Sequence, residues 1–211
     1  MGIFRRDAAE KSARDAARAE VDHAKVAAQA ALPPGWRLER ADLERFRLPT
    51  GSVETWAMSA SGPGDDDVRL AVGIGQAGGY RALEALLRGA IEPTDMWAPP
   101  LPMGGGGVLG AARFSLYDAA APDVAAALGS LEAALPPGWQ PFGVDRSRYR
   151  LPGQKVEVYG VSAVGPAGAS ALAIGIGEAT GLRALASMLQ GGLTVSELWA
   201  VRTDLSSVPV G

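Results

Sequence analysis

Two constellations in this chain combine residue types that could do chemistry. The first is Gly73-x-Gly75-x-x-Gly78, which closes a strand-like run and opens a helix-like one. That is the local setting of a dinucleotide-binding turn, where backbone amides at a helix start hold phosphate. The rest of the fingerprint is missing, because no parallel strand with a terminal acid follows and Thr180 stands at the third glycine position of the matching run from Gly175. The glycines suit tight packing of helix on strand. Their chemical use would be an anion held at the helix start by Gly75, Gly79 and Arg81, and by Gly177, Gly181 and Arg183 in the second run.

The second constellation is Arg45, Arg47, Glu54, Trp56 and Met58, with Arg148, Arg150, Glu157 and Tyr159 as its twin. If Leu48 pairs with Val53 in a hairpin, Arg47 faces Glu54 and Arg45 faces Trp56, and the twin places Arg150 with Glu157 and Arg148 with Tyr159. A cross-strand ion pair and an Arg stacked on a ring contribute roughly 0.5–1 kcal/mol each at an exposed site. The alternative role is a partner surface, formed by Arg45, Arg47, Trp56, Met58, Arg148, Arg150 and Tyr159, since Arg and aromatics are enriched at interfaces.

Composition removes much other chemistry. The chain has no Cys, which excludes disulfides, thiolate metal sites and cysteine nucleophiles, and His23 is its one histidine. No catalytic constellation, metal site or cofactor motif is therefore expected. Asp65-Asp66-Asp67 lacks the spacing and glycine of a calcium loop and reads as a solvated acidic turn. A net charge of −3 and a pI near 5.3 leave no electrostatic footprint for nucleic acid. The order helix, strands, helix is similar to that of double-stranded-RNA-binding domains, which grip phosphates with a basic run at the last helix. Here Gln76-Ala77-Gly78-Gly79 and Glu178-Ala179-Thr180-Gly181 hold no Lys or Arg. The N-terminal basic residues are followed by Asp7, Glu10 and Lys11 rather than an apolar core, and no long apolar run could span a bilayer. A cytoplasmic location without membrane contact is the expectation.

The elements that position these residues come in two similar sets. Leu32-Pro33-Pro34-Gly35-Trp36 recurs as Leu135-Pro136-Pro137-Gly138-Trp139. Arg45-Phe46-Arg47-Leu48-Pro49 recurs as Arg148-Tyr149-Arg150-Leu151-Pro152, and Gly73-Ile74-Gly75 as Gly175-Ile176-Gly177. Trp97-Ala98 matches Trp199-Ala200. Such self-similarity predicts a tandem duplication. Each copy reads as an Ala-rich helix (8 to 31, then 123 to 134), an antiparallel meander, and a short helix from Gly79 to Arg88 or its counterpart. Thr94 and Ser196 read as caps of a final turn carrying Trp97 and Trp199. Phe46, Leu48, Val53 and Thr55 share one face of the first hairpin, expected to pack under the helices, leaving Trp56, Met58, Tyr159 and Val161 on the far face for the sister copy to cover.

The predicted fold class is α+β: two α-β-β-β-α units, with antiparallel sheets and helices on one face, related by a pseudo-twofold axis. Residues 1–98 form the first repeat and 123–211 the second. Residues 99–122 form a Gly- and Pro-rich connector in which Arg113 to Tyr117 alternate like an extra strand. The functional expectation is a non-catalytic binding or assembly protein whose partner is another protein or itself. The alternative is a small-ligand or anion-binding protein using the glycine turns from Gly73 to Gly79 and from Gly175 to Gly181.

Overall fold

A computed structural model of the chain describes residues 3–64, 67–101 and 114–203, with the side chains of 3–8 left aside. Asp65, Asp66 and the Gly-rich part of the connector lie outside the described residues. The elements run α1 (Ile3–Ala30), β1 (Arg37–Leu48), β2 (Gly51–Ser61), β3 (Val68–Ile74), α2 (Gly75–Leu87), β4 (Pro93–Thr94) and β5 (Met96–Trp97). After the connector come α3 (Pro122–Ala134), β6 (Gln140–Leu151), β7 (Gln154–Val164), β8 (Ser170–Ile176), α4 (Glu178–Leu189) and β9 (Leu198–Val201). This is a mixed α+β architecture with two sheets and, among the described residues, four α-helices. Each Pro-Pro-Gly ends its helix as expected, because proline lacks the amide donor and its predecessor is pushed out of the helical region.

One sheet has the order β1-β2-β3-β9-β4 and the other β5-β8-β7-β6. All neighbours are antiparallel except β4 beside β9. The terminal strands cross over: β9 pairs with β3, matching Val72 to Trp199, while β5 pairs with β8, matching Trp97 to Ile174. Trp97 and Trp199 therefore lie in strands, not in the capped turn that the sequence suggested. Their rings stack with centroids 5.8 Å apart and planes at 19°. Trp97 Nε1 donates to the Ser196 carbonyl at 2.8 Å, and Trp199 Nε1 to the Thr94 hydroxyl at 3.0 Å.

The layers run helix, sheet, sheet, helix. Phe46, Leu48, Val53, Leu70 and Val72 of the first sheet meet Tyr149, Leu151, Val156, Leu172 and Ile174 of the second in one central core. Met58, Ala60 and Ala71 instead face Ala24 and Ala28 of α1 and Tyr80 and Leu83 of α2. Tyr159 and Val161 likewise face Val124 and Leu131 of α3 and Leu182 and Leu185 of α4. The expected assignment of faces is thus inverted. The face with Phe46 and Val53 is covered by the opposite sheet, and the face with Met58 and Tyr159 by its own helices. Both faces of each hairpin are apolar enough to be buried, so alternation alone could not say which layer each would meet.

The hairpin register also differs from expectation. Leu48 pairs with Gly51 and Phe46 with Val53, so Pro49 and Thr50 alone form the loop, and β6 and β7 repeat this with Leu151 opposite Gln154. The shift is even, so each side chain keeps its face while its cross-strand partner changes. Phe114 to Leu116 form no strand, yet Phe114 and Leu116 pack against the core under α3 and α4.

Candidate functional site

The polar groups of the two hairpins converge where the outer strands β1 and β6 pass each other. The Arg47 backbone amide and Nε both donate to the Asp145 carboxylate at 2.6 Å. The Arg150 amide donates to Asp42 at 3.3 Å, and Ser147 donates to Glu44 at 3.0 Å. Deeper in, the Thr55 and Tyr149 hydroxyls lie 3.4 Å apart, and burial pushes the Tyr149 phenol well above its ordinary range. These links stitch the sheet edges together, which would otherwise present unpaired strand groups.

Outside this seam the arginines of the second constellation pair across their own hairpins. Arg45 Nη2 reaches Glu54 at 2.7 Å and Arg148 Nε reaches Glu157 at 2.5 Å, both largely in solvent. Those pairings match Arg45 with Glu54 and Arg148 with Glu157 in the ladder, not Arg47 with Glu54 and Arg150 with Glu157 as first expected. The hydrogen bond and charge of Asp145 hold the Arg47 guanidinium above its ordinary range. Of the apolar members, Met58 and Tyr159 are buried under helices and Trp56 is half-buried. They contribute to the interior of the molecule, while Arg45, Arg47, Arg148 and Arg150 stay exposed.

A second group of residues, less evident in the sequence, extends the β6–β7 side. Arg146, Arg148, Arg150 and Lys155, with Glu44 and Ser147, line an open cleft of about 340 Å³. Arg146 lies over the Tyr117 ring at 5.0 Å, and its guanidinium is held above its ordinary range mainly by hydrogen bonding to Tyr159. Burial raises the Tyr159 phenol, against the effect of Arg146. Arg150 stands directly opposite Lys155 in the ladder. Sequence reasoning singled out Arg148 and Arg150 but missed Arg146, although Arg-x-Arg-x-Arg from Arg146 is a period-2 pattern that puts three guanidiniums on one strand face.

The glycine turns serve close packing. A Cβ at Gly79 would come 2.6 Å from the Trp56 carbonyl oxygen, and one at Gly181 would come 2.6 Å from that of Tyr159. Both helices therefore start flush against the second strand of their sheets. Gly75 and Gly177 take φ of +66° and +81°, the left-handed conformation that a sharp strand-to-helix turn requires. Arg81 is engaged by Glu20 of α1 at 2.7 Å, and Arg183 Nη2 donates to Thr180 at 3.2 Å. The buried Glu178, at the start of α4, accepts the amides of Tyr117 at 2.7 Å and Asp118 at 2.9 Å, pinning the end of the connector. Among the described residues there is no cluster of three or more side chains that could hold a metal ion, and no helix long and apolar enough to cross a membrane. Comparison with protein-family models, curated proteins and solved structures found no match to this chain.

Proposed function

We propose that this chain is a non-catalytic binding or assembly protein, cytoplasmic, and built by tandem duplication of one α-β-β-β-α unit about a pseudo-twofold axis. The reciprocal contacts support the duplication. Arg47 donates to Asp145 while Arg150 donates to Asp42, and Trp97 bonds Ser196 while Trp199 bonds Thr94. Each pair joins residues that match in the repeated sequence.

The observation that carries the binding role is the exposed length of α1. This helix has 28 residues against 13 in α3, and it packs on α2 through Val21, Ala24 and Ala28 near its end. From Ala9 to Glu20 every residue is exposed, a stretch of about 18 Å at the usual rise of ~1.5 Å per residue. Val26 on the same helix is 62% exposed. A helical stretch of this size is marginal in water without tertiary contacts, and a surface helix is a common element for docking into a partner's groove.

The test is a photo-crosslinking amino acid placed at Arg14 of the full chain in living cells, with a second at Arg88 as control. The expected result is one discrete adduct from position 14, either to another protein or to a second copy. No adduct at position 14, or the same diffuse pattern from both positions, would refute the reading.

A further inference from the structure

We propose that the cleft on the β6–β7 hairpin binds a phosphate-type dianion carried by a small ligand, with Arg150 and Lys155 as its main contacts. This site is separate from α1 and does not depend on the reading above.

One pairing in this cleft is disfavoured by folding alone. Arg150 and Lys155 are direct cross-strand partners, and like charges in that position are destabilising. The first hairpin solves the same geometry without that conflict, since Arg47 faces Ser52. There the Arg47 side chain is committed to Asp145 at 2.5 Å. At the other end of the cleft, Arg146 faces Tyr159 while Leu43 faces Trp56 in the first hairpin. The shared architecture thus has no need of Arg146 or Lys155.

The charges in the cleft are incompletely balanced. Arg148 is paired with Glu157, and Arg146 lies over the Tyr117 ring. Glu44, the carboxylate in the lining, keeps its charge while accepting from the neutral Ser147 hydroxyl, so Glu44 and Glu157 together leave two of the lining's four cations unbalanced. Asp42, which accepts the Arg150 amide, is paired through its side chain with Arg40 at 2.6 Å. The Arg150 guanidinium and the Lys155 ammonium form no salt bridge among the described residues. Two cations left facing each other are neutralised by one dianion, whereas a monocarboxylate would leave one charge over. A guanidinium fork matches phosphate oxygens in bidentate fashion, and an ammonium complements it as a point charge. The cleft volume, about 340 Å³, lies at the small end of the range for ligand pockets of roughly 300–1,000 Å³.

The experiment is calorimetric titration of the full chain with glycerol phosphate, a phosphate monoester, at low and at physiological ionic strength, and flotation with phosphatidylcholine vesicles with and without phosphatidic acid. Saturable glycerol phosphate binding that weakens with salt is expected. It should fall at least tenfold in Lys155→Ser, which installs the residue of the first hairpin, and in Arg150→Ala, while Arg45→Ala leaves it unchanged. Lys155→Ser removes a like-charge contact, so it should unfold no earlier than wild type, separating lost binding from lost folding. Binding to phosphatidic acid vesicles with the same dependence on Lys155 would assign the phosphate to a lipid headgroup. No binding of either probe at millimolar phosphate, or equal loss in Arg45→Ala and Lys155→Ser, would overturn the proposal. So would preferential binding of single-stranded RNA that is indifferent to Lys155→Ser.

Discussion

The two hairpins share a register, a two-residue loop and a buried aromatic at the same place, yet they deploy charge in opposite ways. In β1–β2 the arginines are met by Glu54 and Asp145. In β6–β7 a larger cationic group gathers around Arg146, Arg150 and Lys155. What the two hairpins hold in common is what the layers require: Phe46 and Tyr149, Val53 and Val156, and the close-packed Gly79 and Gly181. At Leu43 and Arg146, and at Ser52 and Lys155, where the charge differs, the side chains are exposed, and surface substitutions cost little folding energy. Folding thus fixes the buried residues and the seam through Arg47 and Asp145, and leaves open the charge at the exposed positions where the hairpins differ.

The largest loss of stability is expected on removing the tryptophans that join the halves. Trp97→Ala and Trp199→Ala should each cost about 3–5 kcal/mol, the range for deleting a large buried aromatic. Both rings are 2% exposed and both indole N–H groups are bonded, so chemical denaturation should give losses of similar size. A loss in one variant less than half that in the other would show that the two crossings are not equivalent in energy.

A smaller effect separates the halves. Gly160 carries the Phe46 ring directly on its backbone, where a Cβ would clash with a fully buried side chain. Ala57 occupies the matching place in the first hairpin. Gly160→Ala should therefore cost about 1–3 kcal/mol through overpacking. Ala57→Gly should cost nearer ~1 kcal/mol, the ordinary penalty of glycine within a regular element. Thermal unfolding of the two variants checks the order, and a reversed order would mean that the core relaxes around Gly160.

The smallest expected effect depends on pH and belongs to the first half. Hydrogen bonding from Ser61, and then from Arg37, holds the Glu39 carboxyl below its ordinary range. Phe142 stands at the matching position in the second half. Because the folded state lowers this pKa, its contribution is fully present above the ordinary carboxylate range and is lost as pH falls through that range and below. Solvent screening keeps it under about 1 kcal/mol. Stability curves from pH 7 to pH 3 for wild type and Glu39→Gln should converge at the acid end. Parallel curves would remove Glu39 from the account.

Particular elements mark how much of this was legible. The Ala-rich stretches before each Pro-Pro-Gly were readable as helices because Ala favours helix and proline ends it. The strands were readable from alternation bounded by Gly and Pro. Arg45, Glu54, Arg148 and Glu157 were visible as members of their clusters, but the sequence paired Glu54 with Arg47 and Glu157 with Arg150, since a loop of two residues and one of four both fit around Pro49 and Thr50. The basic cleft was half visible: Arg148 and Arg150 stood out, while Arg146 and Lys155 gained meaning only once the ladder set Arg150 opposite Lys155.

Local propensity and side-chain periods along one chain were enough for the helices, the hairpin strands and the parity of their residues, but not for the short strands that carry Trp97 and Trp199. Packing between the layers settled which face met which layer, since Phe46 and Val53 on one side and Met58 and Ala60 on the other are both apolar enough to be buried. It alone also decided the destination of the last strands. Met96-Trp97-Ala98 and Leu198-Trp199-Ala200 are nearly the same peptide, and β3 and β8 offer nearly the same edge, so local pairing energies do not distinguish a strand's own sheet from the neighbouring one. Joining each terminal strand to the opposite sheet let Trp97 and Trp199 stack inside a core shared by both sheets, a gain that appears only when the two halves fold together.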